Sequence, residues 1–301
     1  MMWLLLAFLS AALLGCYDSF KKQALKANAV IPVLTLNTLF SSLIFLPFIV
    51  LSMATPLLDG SMLHVASGGW EMHRYIVLKA VIVLSSWILG YFGMKHLPLT
   101  IVGPINATRP VMVLVGALLL FGERLNGWQW LGVLLAVASF LLLSRSGKKE
   151  GIDFKHDHWI YMIVGAALLG ALSGLYDKYL MAPESEGGVG LDRMMVQSWY
   201  NIYQFFMMTA MLWLLWWPKH KETTPFHWSW SILGVSLFLS TADFMYFYSL
   251  SLPSAMISIV SMIRRGSVVV SFLFGAVFFH EKNLRAKAFD LALVLLGMIF
   301  L

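Results

Sequence analysis

Most charged residues of this chain lie between apolar runs, but a few lie inside them. A charge near the centre of a bilayer costs at least about 2.5–3.5 kcal/mol, so such a group faces a cavity or an opposite charge. Arg109 stands in Pro104-Ile105-Asn106-Ala107-Thr108-Arg109-Pro110. Each proline removes a backbone donor, which frees carbonyls and kinks the segment. Interrupted spans of this kind line substrate sites, which makes Arg109 and Asn106 candidate substrate contacts. The alternative is that Arg109 caps the freed carbonyls. Arg264 and Arg265 are neighbours near the middle of a later run. Adjacent helical residues point about 100° apart, so one faces the cavity while the other reaches a carboxylate or carbonyl on an adjoining helix. Arginine stays charged and forks onto carboxylate or phosphate. The three arginines therefore point to an organic anion or phosphorylated metabolite, or else to a structural ion-pair network with Asp243 or Asp18.

Asp18 and Asp177 each follow a tyrosine, Tyr17 and Tyr176. A carboxylate in partly apolar surroundings takes up a proton more readily, so the pair are candidates for proton coupling or counter-ions for the arginines. Tyr17 and Tyr176 are candidate substrate contacts beside them. Both aspartates come late in their runs, and a headgroup-level carboxylate beside Lys21 or Lys178 is the competing reading. Asp243, in Thr241-Ala242-Asp243-Phe244, lies deeper and is either a substrate contact or the salt-bridge partner of Arg264 or Arg265. Glu123 and Glu281, beside Arg124 and Lys282, read as turn residues that cap the next helix.

These residues need elements to hold them. The chain is 59% hydrophobic and 12% charged, against roughly 25% charged in an ordinary soluble domain. A bilayer accounts for that excess of apolar surface. Crossing its core takes about 20 apolar residues. The runs give ten expected spans: 2–20, 31–53, 75–94, 98–121 and 128–144, then 159–181, 195–217, 229–250, 253–279 and 286–301. The polar stretch 145–158 joins two halves, 1–150 and 151–301. No Lys or Arg precedes the first run, which separates it from a secretory signal. One cysteine, Cys16, excludes an internal disulfide. The eight histidines are scattered, so neither a metal site nor a cofactor is expected. The net charge of +6 comes from cations between runs, which suits lipid headgroups better than nucleic acid. Gly170 and Gly174, and Ser267, Ser271 and Gly275, have the spacing of close helix approach. Trp216, Trp217, Trp228 and Trp230 read as interfacial anchors.

The halves resemble each other. Tyr17-Asp18 matches Tyr176-Asp177. Leu84-Ser85-Ser86, Tyr91-Phe92 and Leu97-Pro98 match Leu239-Ser240-Thr241, Tyr246-Phe247 and Leu252-Pro253, and Arg109 falls on Arg264. Five spans per copy is an odd number, so the copies enter the membrane from opposite sides, with a site expected at the midplane between them. Each half closes with Gly122-Glu123-Arg124-Leu125 or Glu281-Lys282 before a last apolar run. On these residues the chain resembles the EamA-like branch of the drug/metabolite transporter superfamily. It departs from the pattern at His280 and in the longer stretch 54–74.

The resemblance implies an all-α integral membrane protein of ten transmembrane helices in two inverted five-helix repeats. It also implies secondary transport without ATP, and no Walker-type loop occurs. Plastid phosphate translocators of the same superfamily carry a Lys-Arg pair near the place of Arg264-Arg265. The expected activity is alternating-access transport of a small anionic or zwitterionic metabolite across the inner (plasma) membrane. Protons or a counter-transported metabolite would be partners, and the protein would act as a monomer or homodimer. An exporter of hydrophobic or cationic compounds is disfavoured because mid-span arginines repel cations. A membrane-embedded enzyme or lipid-handling scaffold lacks its constellation: there is no His-Glu-x-x-His and no Ser/His/Asp set at membrane depth. Thirteen Lys and Arg fall in odd-numbered loops, Lys21, Lys22, Lys26 and Lys287 among them, and three in even-numbered ones. That count puts both termini outside, whereas family members usually place them inside.

Overall fold

In a bilayer every backbone polar group must be satisfied within the protein, and a helix does this within one segment. The computed structural model is helical accordingly. It describes residues 2–109, 111–113, 156–252, 263–264, 266–279 and 284–300, with isolated positions 127–128, 130–132, 134–135, 138, 142 and 260. The helices are α1 (Met2–Ala24), α2 (Val30–Ala54), α3 (Trp70–His96), α4 (Leu99–Ala107), α5 (His158–Met181), α6 (Arg193–Met211), α7 (Ser231–Ser251), α8 (Ser267–Val277) and α9 (Leu284–Ile299). Five stretches, Met2–Ala24, Val30–Ala54, Trp70–His96, His158–Met181 and Ser231–Ser249, are long and apolar enough to cross a membrane. Each overlaps an expected span. The expected spans 98–121, 128–144 and 253–279 lie partly outside the described residues, as do Glu123, Arg124, Glu281, Lys282 and the candidate Arg265.

Helices of the first half pack mainly on helices of the second. α1 lies along α7, α3 along α5, α2 along α6 and α4 against α8. Small and polar residues make these approaches. A Cβ on Gly15 would stand 2.4 Å from Val270 Cβ, so only glycine lets α1 meet α8 there. Ser10 donates to the Ala242 carbonyl at 2.7 Å and Ser249 to the Trp3 carbonyl at 2.7 Å, which fastens α1 to α7. Ser86 donates to the Ala166 carbonyl at 2.7 Å between α3 and α5, and Ser42 to the Asn201 carbonyl at 2.9 Å between α2 and α6. Hydrogen bonds and small residues of this sort hold membrane helices together where lipid removes the hydrophobic drive. Outward positions such as Leu5, Phe8, Phe206, Leu237 and Phe289 are exposed and apolar.

One end of the bundle gathers the last turns of α1 and α3 and the first turn of α5. Lys22 donates to the Met94 carbonyl at 2.6 Å and to that of Leu97, which caps α3. The His96 and Trp159 rings stack at 3.6 Å. At the other end the start of α3 meets the end of α5, where the Tyr176 hydroxyl donates to the Tyr75 carbonyl at 3.3 Å.

Two cations counted as loop charges are interior. Lys21 is 7% exposed within α1, and Lys287 is fully buried in α9, donating to the Thr100 hydroxyl at 2.8 Å. α1 runs past the expected end at 20, which carries Lys21 into the packing, while Lys287 lies within the expected span 286–301 itself. Lys22 is likewise occupied as a helix cap. Ten cations remain in the odd-numbered loops, and the sign of the asymmetry stands.

Two runs change winding beside the arginines they carry. In the fourth, Thr108 N–H bonds back three residues to the Ile105 carbonyl at 3.2 Å, immediately before Arg109. In the ninth, Gly266 N–H bonds back three residues to the Ile263 carbonyl at 2.9 Å, just after Arg264. Such tightened turns mark strain or function in a helix.

Candidate functional site

α1 carries Tyr17, Asp18 and Lys21 on one face, because residues three and four apart are neighbours on a helix. Lys21 Nζ lies 2.9 Å from Asp18 Oδ1 and donates to the Tyr17 hydroxyl at 3.3 Å. The same ammonium lies 4.4 Å from the centre of the Tyr17 ring and 5.2 Å from that of Tyr91, cation–π range for both. Ser271 of α8 donates to the other oxygen of Asp18 at 3.2 Å.

A second cluster lies toward the opposite end. Lys79 of α3 forms an ion pair with Asp177 of α5 and lies 5.1 Å from the Tyr200 ring and 5.6 Å from the Phe247 ring. Arg264 forms an ion pair with Asp243 of α7, and its guanidinium stacks 4.1 Å over the Tyr246 ring. Tyr200 of α6 donates to the remaining oxygen of Asp243 at 2.9 Å. Of the partners foreseen for Asp243, the structure pairs Arg264.

Between the clusters is a cavity of about 160 Å³. Its wall includes Tyr17, Asp18, Lys21, Lys79, Asn106, Arg109, Asp177, Tyr200, Asp243, Tyr246 and Arg264. Arg109 lies against α5 at Gly170, where a Cβ would stand 2.7 Å from the guanidinium carbon. Gly170 therefore makes room for a side chain rather than for a helix. Gly174, one turn on, meets nothing within 4 Å and leaves space in the wall.

Of the residues singled out from sequence, Tyr17, Asp18, Asn106, Arg109, Asp177, Asp243 and Arg264 come together on this one wall. Tyr176 does not line it. Its ring packs at 5.9 Å from that of Tyr179, about 100° round the helix from Asp177. Both aspartates are within the packing: their side chains are 17% and 10% exposed, and each holds a lysine, Lys21 for Asp18 and Lys79 for Asp177. Sequence reasoning did not count Lys21, Lys79, Tyr200 or Tyr246 as wall residues; Lys21 entered only as a loop cation and headgroup-level neighbour of Asp18, and Tyr246 only in the match between halves. Lys79 carried a usable signal: it lies in Ile76-Val77-Leu78-Lys79-Ala80-Val81-Ile82, a charge within an apolar run, the rule that marked the arginines. Lys21 follows Asp18 at the helical spacing of three. Nothing in the local sequence marks Tyr200. Among the described residues no group of three or more His, Cys, Asp or Glu is placed to hold a metal ion.

A multi-pass bundle of apolar helices around a charged internal cavity is the layout of a membrane transporter. Residues 1–145 match the model of the EamA-like transporter family, and the first half of the chain is an EamA-like unit. That match over the first half supports a membrane transporter of the drug/metabolite kind. No curated protein matches the chain. Among solved structures, 27 chains resemble it. One of them, titled "Crystal structure of protein", is 13% identical with a TM-score of 0.65, and the alignment covers 98% of this chain and 94% of that one. At that identity the likeness is one of fold.

Proposed function

We propose that the protein is a secondary active transporter that moves a small anionic or zwitterionic metabolite across the inner (plasma) membrane by alternating access. It does so as ten spans in two inverted five-helix repeats, 1–150 and 151–301. The observation that carries this reading is the single cavity whose wall draws ion pairs and an extra arginine from both halves. The packing supports the repeat. Exchanging α1 with α5, α2 with α6 and α3 with α7 turns the α1–α7 contact into α5–α3 and α2–α7 into α6–α3. The same exchange returns α2–α6 to itself, as a two-fold relation between the halves would.

Asp18 and Asp177 are the coupling groups in this scheme. Protonating either would release its lysine into the cavity, so proton and anion would reach the wall together. The test is uptake of labelled organic acids, amino acids and sugar phosphates into vesicles that contain the purified protein, with and without an imposed pH gradient. Saturable uptake driven by the gradient is expected for one class. The D18N and D177N variants should lose the gradient dependence and keep exchange. If no solute in the set crosses faster than in protein-free vesicles, the transport reading fails.

A further inference from the structure

The charges on the cavity wall are matched except for one. Among the described residues Asp18 is held by Lys21, Asp177 by Lys79 and Asp243 by Arg264, and no carboxylate forms an ion pair with Arg109. Arg109 Nε is buried without a hydrogen-bond partner, and so is Asn106 Oδ1. Both residues line the cavity, and they are three positions apart, which makes them neighbours on a helical surface. Among the described residues, Arg109 Nε and Asn106 Oδ1 thus share one wall with no hydrogen-bond partner on either. A buried polar atom left unsatisfied is costly, so a ligand that fills both sites is favoured over water that fills one. Arg264 Nε is also unpartnered, but its charge is already met by Asp243.

We propose that Arg109 and Asn106 form the substrate subsite, and that the substrate is a small monocarboxylate with a hydroxyl on the neighbouring carbon, a 2-hydroxy acid. This rests on the transport reading above. The carboxylate takes the guanidinium fork, and the hydroxyl donates to Asn106 Oδ1. Among the described residues of the wall, four cations (Lys21, Lys79, Arg109, Arg264) face three carboxylates (Asp18, Asp177, Asp243), an excess of one positive charge. A monoanion neutralises it. A dianion or a phosphate monoester would leave excess negative charge among buried side chains, where the effective dielectric is lower than in water. A 2-amino acid would fit the same two partners, but its ammonium would find every carboxylate already held. The size agrees: a cavity of roughly 150 Å³ accepts benzene, with its six heavy atoms, and this one has about 160 Å³.

The test is calorimetric binding to the full-length protein in detergent, with 2-hydroxybutyrate, butyrate, 2-aminobutyrate, malate and glycerol phosphate as probes. 2-Hydroxybutyrate should bind about tenfold more tightly than butyrate, the worth of one hydrogen bond to a buried acceptor. N106A should remove that preference. R109Q should weaken every carboxylate by about tenfold or more, and R109K, which keeps the charge and loses the fork, should fall between. D243N adds one positive charge to the wall and should shift the preference toward malate. Tighter binding of malate or glycerol phosphate by the unaltered protein would overturn the assignment, as would R109Q and R109K both binding like the parent. Tighter binding of 2-aminobutyrate would overturn the choice of a hydroxy acid. Uptake of some other solute into vesicles would sink this inference and leave the transport reading standing. Binding of 2-hydroxybutyrate with no uptake of any solute would do the reverse.

Discussion

The two ends of the cavity each hold an aspartate after a tyrosine, and they hold it differently. Asp177 takes its lysine from another helix: Lys79 crosses from α3 to α5, is 3% exposed, and is caged by the Tyr200 and Phe247 rings. Asp18 takes its lysine from its own helix, one turn on, and reaches α8 through the hydroxyl of Ser271. An ion pair between two helices resists their separation, whereas one within a helix does not. The Asp177 end is therefore latched. At the Asp18 end the Ser271 hydroxyl is, among the described residues, the one polar side-chain link between α1 and α8, and Lys22 ties α1 to α3 through backbone carbonyls.

The sharpest way to break this contrast is K79M. Removing one partner of a buried pair strands the other charge, at a cost of about 3–5 kcal/mol, and the melting temperature in detergent should fall further than for Y200F, K21M or S271A. The double variant K79M/D177L should recover most of the loss, because an apolar pair of similar volume replaces the ions. Next comes Y200F, which takes from Asp243 its hydrogen bond across to α6 and should cost about 1–3 kcal/mol by the same measurement. K21M should cost less, about 1–2 kcal/mol, since Asp18 keeps Ser271 and is the more exposed of the two aspartates. S271A should be the smallest, about 0.5–1 kcal/mol, yet it should speed access of a thiol reagent to Cys16, next to the wall residue Tyr17. A K21M protein less stable than K79M would erase the distinction between the ends.

The helical class and most of the wall were legible because charges within apolar runs are costly and therefore conspicuous. Arg109, Arg264, Asp243 and the two Tyr-Asp steps all announced themselves in this way. What escaped was partnership. Lys21 looked like a loop cation because the apolar run stops at Phe20, while the helix continues to Ala24 and turns the lysine inward. Lys79 is the partner of Asp177 across 98 positions of sequence, a pairing that needs the α3–α5 packing to exist. Gly170 read as a helix-approach residue until Arg109 was placed against it, because a glycine does not say what fills the space it leaves. Tyr176 failed as a wall residue for a geometric reason: two adjacent helical positions cannot both face one cavity unless it wraps the helix, as it does at Tyr17 and Asp18.

The serine-to-carbonyl bonds between halves have a mechanical meaning. α1 and α7 are pinned near both tips, by Ser249 on Trp3 at one and at the other by Asn28, which both donates to and accepts from the His227 backbone. α3 and α5 are pinned by Ser86, by the Lys79 pair and by the His96–Trp159 stack. Each plank takes one stave from each half of the chain. On the alternating-access reading proposed above, opening the hollow slides one mixed plank past the other, along a joint that is not the boundary between the two halves of the sequence.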